Sequence, residues 1–418
     1  MRCVTLYSPE ILCIMGNTKH RRFATLIYEE DKNMKKLIAL ALAMVLALTV
    51  CTVFAEEETI TLKIAHIGPT TGAAALYGLA TPHGAEIAVD EINAAGGKYK
   101  IELSNEDDEH NVEKVINAYN AALDAGAQMI LGTTTSKPCE AAGAQGYTDR
   151  VFFLTPSASS TAVIGLAEGY DEDTNDNVFQ VCFTDPNQGS ASALYIADHK
   201  LGTKIAVIYN NADVYSTGIR DTFVEKGAEL GLEIVSEETF TDETTDFTVQ
   251  VGKAQEAGAD IVFLPMYYTP ASLILKTAAN KNYKPIFFGV DGMDGILSVD
   301  GFDTSLAEGV MLLTPFVATS EDEKVKSFVA KYQDKYNEIP IQFAADAYDG
   351  IYILVAAAEK AGITEDMEAE EVCDLMIEAM LDIEVEGLTG TMTWDESGAV
   401  TKTPMAATIV NGVYVFED

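Results

Sequence analysis

The chain has 418 residues, 48% of them hydrophobic, which is long enough for two domains with separate cores. It carries 65 acidic and 27 basic side chains, for a formal charge of −38. This balance argues against nucleic acid as a partner and against attraction to an anionic membrane surface. It is typical of a protein that stays soluble in a crowded or salty exterior.

The first predicted element is a secretory signal at residues 34–55. A basic start at 34–36 precedes an apolar run from Leu37 to Val50, and small residues around Ala55 supply a cleavage site. The run is shorter than the roughly 20 residues of a membrane span. We therefore expect an exported protein, periplasmic or at the cell surface, and interpret residues 1–33 as upstream sequence translated from a misplaced start. Lipid attachment at Cys51 is the less favoured alternative, because the residue before it is not small.

Three cysteines remain after this segment: Cys139, Cys182 and Cys373. An odd and sparse set argues against a disulfide framework, even in an exported chain. No CxxC pair or Cys/His cluster is present, so the sequence predicts neither a zinc site nor another metal site.

Apolar, strand-like runs then alternate with helix-like segments, an order that predicts an α/β fold with parallel sheets. In the first half the strands are predicted at 62–67, 99–104, 129–131 and 151–154, with helices at 81–95 and 112–125. An acidic segment at 171–177 is a predicted domain boundary. The alternation restarts with strands at 204–209, 233–240, 261–264, 285–288 and 310–313, followed by helices at 321–336, 343–361 and 368–381 and short strands near 391, 406 and 413. Those helices come too late to belong to the second sheet, so we expect the chain to cross back to the first domain.

Hydroxyl groups cluster after two neighbouring strands. The segment Thr155-Pro156-Ser157-Ala158-Ser159-Ser160 follows one strand and precedes a predicted helix start at Thr161–Glu168, and Gly132–Ser136 follows the strand before it. Ligands of open parallel sheets bind beyond the carboxyl ends of strands, where helix N-termini also favour anions. The pattern predicts a carboxylate-sized site. Taken singly, Ser136, Ser157 and Ser159 are better interpreted as ordinary helix N-caps, and only the same chemistry at two adjacent strand ends gives the ligand site equal weight.

Further candidates lie at other strand ends. Asp291 is either a Gly-assisted turn residue, which its spacing alone favours, or a counter-charge for a ligand cation. Tyr77 lies in the predicted loop after the first strand, and Tyr215, Tyr267 and Tyr268 follow later strands. Such rings suit a pocket wall, although each could instead be a domain contact.

Enzyme motifs are missing. There is no GxSxG elbow and no phosphate-binding GxxxxGK[ST] loop, and Gly68 and Gly72 do not form the dinucleotide pattern. The acid pair Asp107-Asp108 is best explained as solvated in so acidic a chain. An exported oxidoreductase or hydrolase is therefore only a remote alternative.

Several segments together carry a resemblance that none carries alone. They are Ile67–Gly72 with Tyr77-Gly78, Gly84–Asn93 with Gly96-Gly97, Thr155–Ser160, Phe288–Gly292, Ala347-Tyr348-Asp349, and Gly387–Gly390 with Thr393-Trp394-Asp395. In order and spacing the chain resembles, from about Leu62 to Val415, the leucine/isoleucine/valine-binding family of extracellular substrate-binding proteins of ABC importers.

The resemblance implies the type I periplasmic-binding fold, in which two doubly wound parallel-sheet domains joined by a three-strand hinge close on a ligand. It implies an N-terminal lobe of residues 59–177 plus 317–391 and a C-terminal lobe of residues 178–316 plus 392–418.

The resemblance also implies roles for individual residues. Ser136 and the segment Ser157, Ala158 and Ser159 match positions that hold the head group of an amino acid, and Asp291 matches an acid that pairs with its ammonium. Tyr215 and Tyr267 match aromatic positions of the second lobe, and Tyr77 and Phe343 match residues near the ligand side chain. The family's best-known members have Glu at the position of Asp291 and a disulfide where this chain has Thr135.

The expected function is that of a monomeric, non-enzymatic protein without cofactor that captures an amino acid, branched-chain or aliphatic, and delivers it to an ABC permease. One alternative keeps the fold but binds an amide, a urea-like compound or an aromatic acid. Another is a sensory module that presents ligand occupancy to a receptor.

Overall fold

The computed structural model describes residues 59–166 and 175–416. The predicted signal segment, Cys51 and Glu168 lie outside the described residues. Within this part of the chain, no helix is long and apolar enough to cross a membrane.

The first lobe is built on a sheet of five parallel strands in the order β2-β1-β3-β4-β5. Its strands are β1 (Ile60–Gly68), β2 (Tyr99–Asp107), β3 (Met129–Gly132), β4 (Phe152–Thr155) and β5 (Val178–Gln180). The strands β3 and β4 are buried along their whole length, as expected for central strands covered by helices on both faces. This explains why their sequences are continuous apolar runs rather than alternating patterns.

Three helices connect these strands: α1 (Ala75–Ala95), α2 (Val112–Asp124) and α3 (Ser136–Asp149). The helix predicted to start at Thr161 is wrong in its extent, since the structure has only a four-residue 3-10 helix, Thr161–Ile164. Gly165 ends it in the left-handed conformation, with φ of 70°. The segment after β4 therefore offers a loop and not the N-terminus of a long helix.

The second lobe contains a seven-stranded sheet in the order β14-β13-β10-β9-β8-β6-β7. Its strands are β6 (Lys204–Asn210), β7 (Glu233–Phe240), β8 (Ile261–Leu264), β9 (Ile286–Gly289), β10 (Met311–Thr314), β13 (Met405–Val410) and β14 (Val413–Phe416). Four helices belong to this lobe: α4 (Asp185–His199), α5 (Val214–Leu230), α6 (Thr248–Glu256) and α7 (Tyr268–Asn280).

This second sheet is not purely parallel. Strand β13 runs antiparallel to β10 and forms a hairpin with β14. The two residues between them, Asn411 and Gly412, both have positive φ, which is the turn geometry that an Asn-Gly pair favours. The core doubly wound α/β pattern of the prediction is confirmed, and the hairpin adds to its edge.

The remaining elements are α8 (Glu323–Tyr336), α9 (Gln342–Ala361), α10 (Ala369–Met380), β11 (Val385–Glu386) and β12 (Thr391–Met392). Residues of α9 and α10, together with Trp394 and Val400, share a core with the strands of the first lobe. Helix α8 is tied to α1 by ion pairs from Lys331 to Glu91 and from Lys335 to Asp90.

The strand pairing shifts the lobe boundaries from those expected. Because β5 pairs with β4, residues 178–180 extend the first sheet rather than the second lobe. Trp394 remains in the first lobe, since its indole donates to the carbonyl of Gln180 at 2.7 Å. The chain therefore passes between the lobes in three short irregular segments, at 181–184, 315–322 and 401–404.

Helices α1 and α9 cross at a contact that only glycine allows. A Cβ atom added to Gly84 would lie 1.9 Å from the carbonyl oxygen of Ala344. By contrast, a Cβ atom on Gly227, also within a helix, would meet its nearest neighbour, Leu232, at 3.7 Å. A Cβ atom at Gly84 would therefore clash with backbone, whereas one at Gly227 would make ordinary van der Waals contact.

We expect Gly84→Ala to lower the free energy of unfolding by about 1–3 kcal/mol, because the two helices must move apart. The matched control, Gly227→Ala, should raise it by about 0.5–1 kcal/mol, since alanine restricts the unfolded chain and is the better helix former. Urea denaturation followed by circular dichroism measures both values. Equal stability of Gly84→Ala and the unaltered protein would show that the crossing is looser than described.

Candidate functional site

The carboxyl ends of the two sheets meet at a cleft between the lobes. Contacts across it join Tyr77 of α1 to residues after β8 and β9 of the second lobe. The Tyr77 hydroxyl donates to the carbonyl of Gly292 and accepts from the backbone N–H of Tyr268 at 3.3 Å. The lobes are thus in contact, and residues from both form one buried site.

In the first lobe, hydrogen bonds connect the loops after β3 and β4. The Ser157 hydroxyl donates to the carbonyl of Thr134 at 2.6 Å, and the backbone N–H of Ser160 donates to the Ser136 hydroxyl at 3.2 Å. The N–H of Ala158 donates to Thr155 Oγ1 at 2.9 Å. These bonds hold the predicted hydroxyl cluster in a defined shape.

Helix α3 begins at this cluster without a side-chain cap. Thr135 occupies the N-cap position, but its hydroxyl lies 2.8 Å from Nδ1 of His110 and makes no capping bond. The first-turn N–H groups of a helix have no partner within the helix. Ser136 is itself almost fully buried, so these donors and its hydroxyl suit a small anionic group.

In the second lobe, Asp291 is buried at the start of a 3-10 turn, Asp291–Met293. The Tyr215 hydroxyl donates to its Oδ1 at 2.7 Å and accepts from the N–H of Gly292 at 2.9 Å. The backbone N–H of Asp291 donates to Gln188 Oε1 at 3.2 Å. The side chain is therefore part of a buried network, rather than the solvated turn that its spacing alone favoured.

Burial shapes the titration of Asp291. It raises the pKa of this carboxyl to about 6, although the hydrogen bonds from Tyr215, Gly292 and Gln188 lower the pKa and nearby Asp294 raises it further. A carboxylate here is costly without a positive partner.

Asp185, which the sequence did not single out, is a second buried acid of the site. It is the first residue of α4 and is 1% exposed, and its backbone N–H donates to the carbonyl of Ser159 across the cleft at 2.9 Å. Neither carboxyl oxygen makes a well-aligned hydrogen bond within the described residues. Burial raises the pKa of Asp185 well above its usual value; the Ser159 hydroxyl lowers it, and Asp291 and Asp213 raise it further.

Four aromatic rings line the space between these groups. Tyr77 stacks on Phe343 of α9 at 4.1 Å and meets Tyr267 edge-on at 5.7 Å. Tyr267 in turn stacks on Tyr215 at 4.8 Å. The structure thus brings the predicted rings together, but it corrects the position of Tyr77, which lies in the first turn of α1 and not in a loop.

Charge is unevenly divided across the cleft. The first lobe contributes hydroxyl and backbone donors, and the second contributes the carboxyls of Asp185 and Asp291. The buried ammonium of Lys402 is paired with Asp346 at 3.2 Å and bonded to Thr389 at 2.6 Å, so its charge is already compensated. The arrangement can hold a small molecule with a negative group at one end and a positive group at the other.

The sequence of the chain matches the model of a known protein family. A family model described as periplasmic binding protein matches residues 61–412, which is most of the chain.

Individual relatives agree with that match. The chain is 26% identical to Leu/Ile/Val-binding protein homolog 3 of Brucella melitensis, covering 88% of this chain and 94% of the relative. It is also 26% identical to the leucine-, isoleucine-, valine-, threonine-, and alanine-binding protein of Pseudomonas aeruginosa, covering 81% and 87% of the two chains. Among solved structures, the branched-chain amino acid transporter substrate binding protein LivJ of Streptococcus pneumoniae, in complex with isoleucine, is 29% identical. It covers 85% of this chain and 100% of its own, with a TM-score of 0.74.

The Tyr77 hydroxyl generates a prediction about the contact between the lobes. We expect Tyr77→Phe to shift the ligand-free protein toward a more open arrangement, because the carbonyl of Gly292 and the N–H of Tyr268 lose their partner. Leaving such buried groups unpaired costs about 1–3 kcal/mol. Small-angle X-ray scattering should show a larger radius of gyration.

The matched control is Tyr283→Phe, which removes a hydroxyl that donates to the carbonyl of Ala259 at 2.9 Å within the second lobe. It should leave the radius of gyration unchanged. The same radius for both variants and the unaltered protein would contradict a role of Tyr77 in holding the lobes together.

Proposed function

The chain belongs to the periplasmic binding protein family, and from this premise we propose that it captures an aliphatic, branched-chain amino acid in the cleft and delivers it to an ABC permease. The observation that carries the proposal is the pair of buried acids, Asp185 and Asp291, in a site with no uncompensated cation beside them among the described residues. The ammonium of an amino acid supplies the missing positive charge.

The opposite end of the ligand is assigned to the first lobe. The first-turn N–H groups of α3 and the Ser136 hydroxyl form the cradle for the α-carboxylate, with the loop of Ser157, Ala158 and Ser159 beside it. These are neutral donors, and hydrogen bonds to a charged acceptor are the stronger kind. Closing the lobes excludes water and strengthens them.

The side chain of the ligand is assigned to the aromatic wall. Tyr77 and Phe343 present stacked ring faces, a surface that suits aliphatic carbon. The relatives named above are described as binding leucine, isoleucine and valine, and the Streptococcus pneumoniae structure holds isoleucine. These descriptions support the same ligand class for this chain.

Delivery to a permease requires that the protein act outside the cytoplasmic membrane. We place it there as a monomer, in agreement with the signal segment predicted at 34–55 and with the periplasmic family. Ligand favours the closed form only through its higher affinity for that form, so closure reports occupancy to the membrane partner.

Isothermal titration with leucine, isoleucine and valine tests the proposal directly. We expect all three to bind, while 4-methylpentanoate and isoamylamine, which each lack one half of the zwitterion, bind far more weakly. Asp291→Asn should weaken leucine binding about 10- to 100-fold, because a charge-assisted bond is lost.

The exposed Asp300 provides a matched control, and Asp300→Asn should leave leucine affinity unchanged. Binding of aromatic acids or amides but of no amino acid would overturn the proposal. Undiminished leucine affinity in Asp291→Asn would remove the ammonium role of that residue.

The raised pKa of Asp291 predicts a pH dependence of binding. Without ligand this carboxyl is protonated below about pH 6, and an ammonium ligand favours the ionised form. Affinity should therefore rise with pH up to about 6, falling roughly tenfold for each pH unit below it, and the raised pKa of Asp185 contributes a change of the same sign.

Leucine titrations between pH 5 and 8 measure this profile. Proton release should appear as heat that depends on the ionisation enthalpy of the buffer. In Asp291→Asn the portion of the profile centred near pH 6 should disappear. A flat profile in the unaltered protein would show that no buried carboxyl ionises on binding.

A further inference from the structure

A side pocket opens beside the amino-acid site, with walls from both lobes. Its volume is about 190 Å³, well above the roughly 10–15 Å³ that one water molecule needs by the same measure. We call it the side pocket and define it by six lining residues: His110, Asn210, Asp213, Asp242, Met266 and Tyr267.

One carboxyl oxygen of Asp213 is buried in this region without a partner. The residue is 6% exposed, and its Oδ1 makes no hydrogen bond within the described part of the chain. Burial raises the pKa of Asp213 to about 7, and Asp242 raises it further; the N–H groups of Tyr215 and Ser216 and the ammonium of Lys137 lower it. A buried acceptor of this kind is costly unless a donor occupies the pocket.

The neighbouring polar groups do not meet that need. Asn210 donates through Nδ2 to Asp242 at 2.6 Å and accepts from the N–H of Ala212 at 3.0 Å, so its amide fixes Asp242 instead of bonding Asp213. Burial lowers the pKa of His110, with Asp242 raising it and Lys137 lowering it, so the imidazole is neutral near pH 7. The carboxyls of Asp213 and Asp242 therefore both line the side pocket, whereas Lys137 acts on Asp213 from outside that lining.

The rest of the lining is largely apolar. Ala74, Phe240, Met266 and Leu273 supply hydrocarbon, and the Tyr267 hydroxyl is buried without a hydrogen bond in the described residues. An apolar stem that ends in a donor matches this lining, because the stem meets hydrocarbon and the donor meets Asp213.

Tyr267 connects the side pocket with the amino-acid site. Its ring stacks on Tyr215, whose hydroxyl donates to Asp291. The amino-acid site and the side pocket therefore share Tyr267 as a common wall.

We propose that the side pocket is a subsite for the far end of the ligand side chain, where Asp213 recognises a terminal amine and extends the range of ligands from aliphatic to ω-amino amino acids. The inference rests on the proposed function, since it requires the amino-acid head group at Asp291. Lysine and norleucine form the probe pair, because they differ by the terminal amine alone.

Isothermal titration of both probes gives the ratio of their dissociation constants. In the unaltered protein lysine should bind at least as tightly as norleucine, which a wholly apolar pocket would not allow. Asp213→Asn should weaken lysine relative to norleucine by about tenfold, because a charge-assisted bond is lost. Asp242→Asn, at an exposed position, should shift the ratio in the same direction by a smaller factor. This variant replaces Asp213→Asn in the test if Asp213→Asn does not fold. The exposed Asp198 gives a control, and Asp198→Asn should leave the ratio unchanged.

Two results would overturn the inference while leaving the proposed function intact. One is leucine binding without lysine binding, the result expected if Lys137 already neutralises the acids. The other is lysine binding whose ratio to norleucine is the same in the unaltered protein, Asp213→Asn and Asp242→Asn. If leucine, norleucine and lysine all fail to bind, the proposed function itself fails.

Discussion

Two buried carboxyl groups, those of Asp185 and Asp291, have no compensating cation within the part of the chain that the structure describes, and they are the constraint around which the cleft is organised. Removing such a group from water disfavours its charged form, and the effective penalty is several kcal/mol for an unpaired ion. The raised pKa values of both residues express that penalty. In the closed arrangement, a ligand's ammonium group would offset this burial penalty. The binding energy and the closure of the lobes would then have one physical origin.

Hydrogen bonds among the neighbouring polar groups hold the site in shape and leave the proposed binding groups available to a ligand. Thr135 could cap helix α3, but its hydroxyl contacts His110, so the first-turn donors of the helix remain uncapped. Ser157 bonds to the carbonyl of Thr134 and thereby fixes the loop instead of turning toward a ligand. Tyr215 both donates to Asp291 and accepts from Gly292, which holds the carboxylate in one orientation. Such preorganisation lowers the entropy that binding would otherwise cost.

The sequence predicted the parts of this fold that depend on local pattern. Continuous apolar runs identified the buried strands, and hydroxyl-rich strand ends pointed to the cleft, because parallel strands bring those ends to one edge. The sequence pattern did not predict the features that depend on contacts between distant parts of the chain. Gly165 ends the helix expected after Ser160, and residues 178–180 join the first sheet only because β4 offers them an edge. Asp185 lies in a Thr-Asp-Pro segment that has the composition of any helix start, and its burial depends on Ser159 from the other lobe.

Specificity in this molecule is a property of the closed arrangement. The ring of Tyr267 contacts Tyr215 of its own lobe, but it also contacts Tyr77 and His110 of the first lobe, each at 5.7 Å. The side pocket likewise takes His110 from one lobe and Asp213 from the other, so its walls come together only when the lobes do. An open molecule presents the hydroxyls of one lobe or the acids of the other, and either half alone discriminates weakly among side chains. Under the proposed function, selection among amino acids therefore follows capture of the head group, because closure brings the walls of the side pocket together.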